Sequence, residues 1–112
     1  MPLQLSLIQP SKSTISLPED VSLNFTLTAN LGANYIVSYY LAPGNNLYFQ
    51  DANGTLFKQL DDKGTTGGTQ TVINKDVRMV SKGTKTVGSF IVRVVVREGL
   101  NGDVKSCKIW VL

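Results

Sequence analysis

Three observations indicate an all-β fold. Val, Ile and Thr number 12, 6 and 10 in 112 residues, against four Ala and two Glu, so residues that suit a pleated strand outnumber those that suit a helix. Runs of apolar/polar alternation recur along the chain, and turn signals carrying Gly, Pro, Asn or Asp separate them about every ten residues. No stretch keeps a helical period of useful length. Seven to nine short strands spaced in this way are the pattern of an antiparallel β-sandwich of immunoglobulin-like or fibronectin-like layout. The length suits one domain, residues 1–112.

The elements follow in chain order. Leu3, Leu5 and Leu7 alternate with Gln4 and Ser6 and stop at Pro10, which reads as a first strand half covered on one face, with Pro10 marking an edge or the strand's end. Ser13 to Leu17 continues it with Ile15 and Leu17 inward, before a turn at Pro18-Glu19-Asp20. Val21, Leu23, Phe25, Leu27 and Ala29 alternate without a fault and give the clearest strand. Tyr35, Val37, Tyr39 and Leu41 form one face of the next, with Ile36 and Tyr40 on the other, so this strand is expected to be central. Leu47 to Phe49 and Thr55 to Lys58 make a small hairpin around Asp51-Ala52-Asn53-Gly54. Asp61 to Gln70 is polar and Gly-rich and reads as a mobile or partner-ordered loop. Thr71 to Ile73 and Val77 to Ser81 are strand segments divided by Asn74-Lys75-Asp76. Phe90, Val92, Val94 and Val96 face one way, and Ile91, Arg93, Val95 and Arg97 the other. A last strand, Val104 to Leu112, completes a hairpin with them. Phe25, Tyr39, Phe90, Val92, Val94 and Trp110 are the expected core.

Composition narrows function mainly by exclusion. There is no His, a single Cys and no long apolar run, so the commonest general base, a disulfide framework, a multi-thiolate metal site and a membrane-spanning helix are not expected. Cys107 reads as a small buried hydrophobe. The formal charge is +3, with basic residues interspersed among acidic ones, a distribution that makes nucleic acid an unlikely partner. Charged residues are only 17% of the chain, which implies a surface rich in Thr, Ser, Asn and Gly. The start at Met1-Pro2-Leu3 alternates where a leader would show a basic segment followed by an apolar block. A virion, or the cytoplasm of the producing cell, is therefore the expected location, with the envelope or exterior implied if a leader was removed.

Few constellations suggest chemistry. Asp61-Asp62, with Asp51 and Asn53 in a nearby turn, supply oxygen ligands but without the spacing of a calcium loop. Gly64-Thr65-Thr66-Gly67-Gly68 lacks the ending of a phosphate-cradling loop. Arg93 and Arg97, with Lys105 or Lys108 across from them, form a basic stripe that reads as a solvated outer face; with the tyrosines it would otherwise suggest single-strand binding. No catalytic residue, metal or cofactor is expected, and the chain reads as not an enzyme.

The order Gly32-x-x-Tyr35-x-Val37-x-Tyr39-Tyr40, then Gly44, Leu47 and Asn53-Gly54, and later Phe90-Ile91-Val92-x-Val94-Val95-Val96-x-Glu98, spans about two thirds of the chain. It resembles the small TraQ-like proteins of conjugative transposons, and at the level of fold the immunoglobulin-like decoration domains of phage. The resemblance implies an immunoglobulin-like, non-enzymatic protein.

The function expected from these readings is a structural or protein-binding sandwich, an accessory component of a larger assembly such as a capsid decoration or cement protein. Its partners would be other protein subunits, with no small-molecule substrate. The candidate contact residues are Leu3, Leu5 and Leu7 of the first strand, Asp61, Asp62, Lys63, Thr65 and Thr66 of the polar segment, and Trp110 and Leu112 of the last strand. Alternatives are an envelope or conjugation accessory protein of the TraQ-like type, and a carbohydrate-binding module using Tyr39, Tyr40 and Tyr48.

Overall fold

The computed structural model describes residues 3–112, and among these there are strands and connections but no helix. Met1 and Pro2, on which the reading of a leaderless start depends, lie outside the described residues. The strands are β1 (Gln4–Leu5), β2 (Gln9–Pro10), β3 (Thr14–Ile15), β4 (Glu19–Thr28), β5 (Asn34–Leu41) and β6 (Leu47–Gln50). They continue with β7 (Leu56–Phe57), β8 (Gln59–Thr65), β9 (Gln70–Ser81), β10 (Gly88–Glu98) and β11 (Asn101–Val111).

Two sheets result. One runs β1-β4-β9-β6-β7, with β2 also paired to β4; the other runs β3-β11-β10-β5-β8. Every pairing is antiparallel except that of β3 with β11. The N-terminal segment thus begins on the first sheet and crosses to the second between Pro10 and Thr14. The all-β expectation holds. Period-two alternation turns one side of each strand inward, and a single apolar core is shared by Leu23 and Phe25 of β4, Tyr39 of β5, Phe49 of β6, and Val92 and Val94 of β10.

Four sequence expectations are corrected. Asp61 to Gln70 is not a loose loop: Gln59–Thr65 forms β8 against β5, and Gln70 already belongs to β9. The connection between them is tied down at Thr66, whose buried hydroxyl donates to the Asn30 carbonyl at 2.6 Å and accepts from the Ala33 amide at 2.8 Å. Asn74-Lys75-Asp76 does not interrupt a strand, because these residues pair with Asn24, Leu23 and Ser22 within β9. The alternation of Leu3, Leu5 and Leu7 breaks after Leu5: Leu3, Leu5 and Ile8 are buried while Leu7 is exposed, so the chain shifts its inward parity between β1 and β2. Trp110 leaves the core list, since its strand turns it outward together with Lys108 and Ser106.

Further backbone bonds tie the first and last described segments to other strands. Leu5 donates its amide to Asp103 Oδ2 at 2.8 Å, Trp110 donates to the Ser13 carbonyl at 2.7 Å, and Leu112 donates to the Ile15 carbonyl at 2.9 Å.

Candidate functional site

The outer face of the five-stranded sheet is set by strand parity. The odd positions of β10, Ser89, Ile91, Arg93, Val95 and Arg97, point away from the core because Phe90, Val92, Val94 and Val96 point into it. Register then supplies the neighbours. On β11 they are opposed by Trp110, Lys108, Ser106, Val104 and Gly102, and on β5 Arg93, Val95 and Arg97 lie beside Tyr40, Ser38 and Ile36. β8 adds Gln59, Asp61 and Lys63 next to those three β5 residues.

This face combines apolar area with positive charge. Trp110, Ile91 and Val104 are 50%, 49% and 51% exposed. With Val87 and Leu112 at the ends of the β10–β11 hairpin and Leu100 at its tip, they hold most of the exposed large apolar area among the described residues, leaving Leu7, Leu31 and Val72 elsewhere. The Arg93 guanidinium lies 5.2 Å from the Tyr40 ring centre, and Lys108 Nζ lies 5.6 Å from that of Trp110. The ion pairs among the described residues are Lys12–Glu19, Lys75–Asp62 and Arg78–Asp20, so none of Lys63, Arg93, Arg97 and Lys108 is paired with a carboxylate. Two hollows open along β5 on this side. One of about 740 Å³ is lined by Asn34, Ile36, Lys63 and Arg97 among others, and one of about 330 Å³ by Tyr40, Pro43, Ile91 and Arg93 among others.

Among the described side chains, Asp61 is the one carboxylate facing outward on these strands. Its Oδ1 accepts from Ser38 Oγ at 2.5 Å and from Gln59 Nε2 at 3.0 Å. The Gln59 and Ser38 hydrogen bonds, with Arg97 nearby, hold its carboxyl below the ordinary carboxylate range.

The expected contact residues do not gather into one site. Leu3 and Leu5 are core and Thr66 is a buried anchor, so none of the three is open to a partner. Asp61, Lys63 and Thr65 face outward on β8, whereas Asp62 turns to the other side, where Lys75 Nζ approaches it at 3.0 Å. Asp51 Oδ1 accepts the amides of Asn53 and Thr55, each at 2.9 Å, inside its own turn. The oxygen ligands read from sequence are thus separated. Trp110 lies on the outer face and Leu112 at its margin. The tyrosines are scattered too: Tyr39 is buried, Tyr40 is on this face, and Tyr48 is on the other sheet, with Lys58 Nζ 4.2 Å from its ring centre. Burial, and secondarily the charge of Asp62, raises the Tyr39 pKa. Of Lys105 and Lys108, register selects Lys108, because Lys105 opposes the inward Val94. Cys107 packs against the core, and burial pushes its thiol up to about 11. The contributions of Ile91, Ile36 and Val104 were not anticipated as a site. The signal was the apolar content of outward positions, which alternation alone assigns to solvent.

No family model and no curated protein matches the chain. A solved structure does. The chain is similar to the Pseudomonas fluorescens alkylpurine DNA glycosylase AlkC bound to DNA containing an abasic site analog, at 18% identity and a TM-score of 0.58. The match covers 97% of this chain and 30% of that one, so the chain spans less than a third of the glycosylase's length. The likeness is one of fold. It overturns two expectations from composition, that the chain is not an enzyme and that nucleic acid is an unlikely partner, because this fold occurs within an enzyme solved on DNA. The physical reason is that both were drawn from residues counted along one chain. A fold that serves as part of a larger catalyst need not carry its own general base, and basic residues dispersed in sequence can converge on one sheet face. No helix among the described residues is long and apolar enough to cross a membrane.

Proposed function

We propose that this chain is an immunoglobulin-like binding module whose working surface is the outer face of the five-stranded sheet, acting as an accessory part of a larger protein assembly, of which a capsid decoration protein is one setting. The observation that carries this reading is the concentration of exposed apolar side chains on the β10–β11 hairpin. Exposed apolar side chains with aromatic and Arg residues among them have the composition of a protein interface, and keeping them exposed is unfavourable unless something covers them. Arg93, Arg97, Lys108 and Lys63 around the patch favour a partner face that is apolar at its middle and acidic at its rim. The test is a photo-crosslinking amino acid placed at Trp110 or Ile91, and for comparison at Val72 or Asn74 on the other sheet, in the producing cell. Crosslinks to one defined protein from the first pair only are expected. Equal crosslinking from both faces would remove the assignment.

A second reading is favoured by the same cations lying beside Tyr40 and Trp110, the combination used to bind single strands by charge and stacking; the DNA-bound structure of similar fold supports weighing it. Titration with a labelled single-stranded oligonucleotide distinguishes it. Binding that falls steeply with salt and is lost in Arg93→Glu is its expected signature.

A further inference from the structure

The sheet edges are unequal. The six-stranded sheet ends in β1 and β2 on one side, two residues each with Pro10 in the second, and in the two-residue β7 on the other. The five-stranded sheet ends in the two-residue β3 and in β8, which has seven residues. Short edge strands and Pro are devices that prevent strand addition. β8 has neither. Its ladder partner is β5 alone, and Thr66 and Lys58 hold its two ends in place through backbone bonds to Ala33 and Leu41.

The remaining protection is charge, and the charges are self-complementary. Two copies added edge to edge, antiparallel about a twofold axis perpendicular to the sheet, keep outward residues beside outward residues. Each residue must then face one whose number has the same parity. With the axis at Asp62, Asp61 of each copy opposes Lys63 of the other, Gln59 opposes Thr65, and Leu60 opposes Gly64. Moving the axis by one residue sets Asp61 against Asp61 or Lys63 against Lys63, and like charges directly opposite are unfavourable. At the axis the two Asp62 carboxylates meet as ion pairs and not as bare charges, since each is held by its own Lys75 at 3.0 Å. Leu60 of one copy would lie beside the Tyr35 ring of the other. That ring already fills the inward space over Gly64, where an added Cβ would run into the Tyr35 hydroxyl.

We propose that the β8 edge seats a second copy of this chain, joining the two five-stranded sheets into one sheet across a twofold axis at Asp62. The inference concerns an edge and not the outer face, and does not depend on what that face binds. Its consequence is that the two basic, apolar faces become continuous.

The experiment measures mass by sedimentation over a concentration series for the whole chain, for Asp61→Lys, for Lys63→Asp, and for the two variants mixed. Each variant alone sets like charges opposite each other twice per dimer, and is expected to dimerise about tenfold more weakly than the unaltered chain or worse. Mixed, they restore both opposite-charge pairs in a heterodimer, and association is expected to return. Amide exchange in β8 that slows as the unaltered chain is concentrated reads the same contact without any substitution, should a variant fail to fold. An unaltered chain that stays monomeric throughout overturns the proposal. So does a dimer that neither variant weakens and whose β8 amides exchange at a concentration-independent rate.

Discussion

On the six-stranded sheet the outward positions of β4 and β9 are Ser22, Asn24, Thr26 and Thr28 beside Asp76, Asn74, Val72 and Gln70, with Asp20 paired to Arg78 at 3.1 Å. On the five-stranded sheet the outward positions of β10 and β11 are Ile91, Arg93, Val95 and Arg97 beside Lys108, Ser106, Val104 and Gly102. The same period-two alternation produces both. The first face is mostly hydroxyls and amides, with Asp20 paired to Arg78, Asn24 bonded to its neighbours, and Val72 as its one exposed large apolar side chain among these positions. The second retains exposed Ile, Val and Trp and leaves four cations without carboxylate partners. The difference separates a face that finishes the fold from one that the fold does not need in that form.

The largest expected effect tests which side of the strands is structural. Phe49→Ala, beneath the polar face, should cost about 3–5 kcal/mol in denaturant unfolding, whereas Trp110→Ala should cost less than about 1 kcal/mol because its ring is not enclosed. A Trp110 loss equal to that of Phe49 would return Trp110 to the core and dissolve the contrast. Next, Gly64→Ala should destabilise by about 1–3 kcal/mol, since the new Cβ meets the Tyr35 ring. The same substitution in a Tyr35→Leu background should cost much less, which a double-mutant cycle by thermal unfolding would show.

Charge sharpens the comparison without involving stability. Arg93→Glu should leave a cation-exchange column at lower salt than Arg78→Glu, although both change the net charge equally, because Arg93 belongs to a cluster and Arg78 is already paired with Asp20. The smallest effect is on pH dependence. The folded state holds the Asp61 carboxyl below its ordinary pKa through Gln59 and Ser38. Its contribution is therefore present above the unfolded carboxyl value, about 3.9, and is lost as pH falls through the lower folded value. Asp61→Asn should flatten the acid limb of the melting temperature against pH slightly, and an unchanged limb would show that the two hydrogen bonds do not favour the charged form.

Much of this was legible from alternation. The inward faces of β4, β5 and β10 were read correctly from Val21 to Leu27, Tyr35 to Leu41 and Phe90 to Val96, since a buried side and a solvated side differ in hydropathy within a few residues. β8 was not legible. Its inward positions are Leu60, Asp62 and Gly64, a series with a single apolar residue and so no alternation to read, and what fits the other two to the interior side is a Lys75 ammonium and a Tyr35 ring supplied by other strands. The break between β1 and β2 was hidden by the third Leu of the row, which continues the pattern on paper while Ile8 takes the inward place in the fold.

The sequence by itself determined that the chain is all-β, where most of its strands lie, and which side of the regular ones turns inward, because these follow from local propensity and a period of two. Only the tertiary structure decided that Lys108 stands beside Ile91, that Tyr40 lies next to Arg93, and that a polar segment closes one edge of a sheet. Those neighbours come from register between strands far apart in the chain. Register is set by the closure of the common core, which no local stretch of residues encodes.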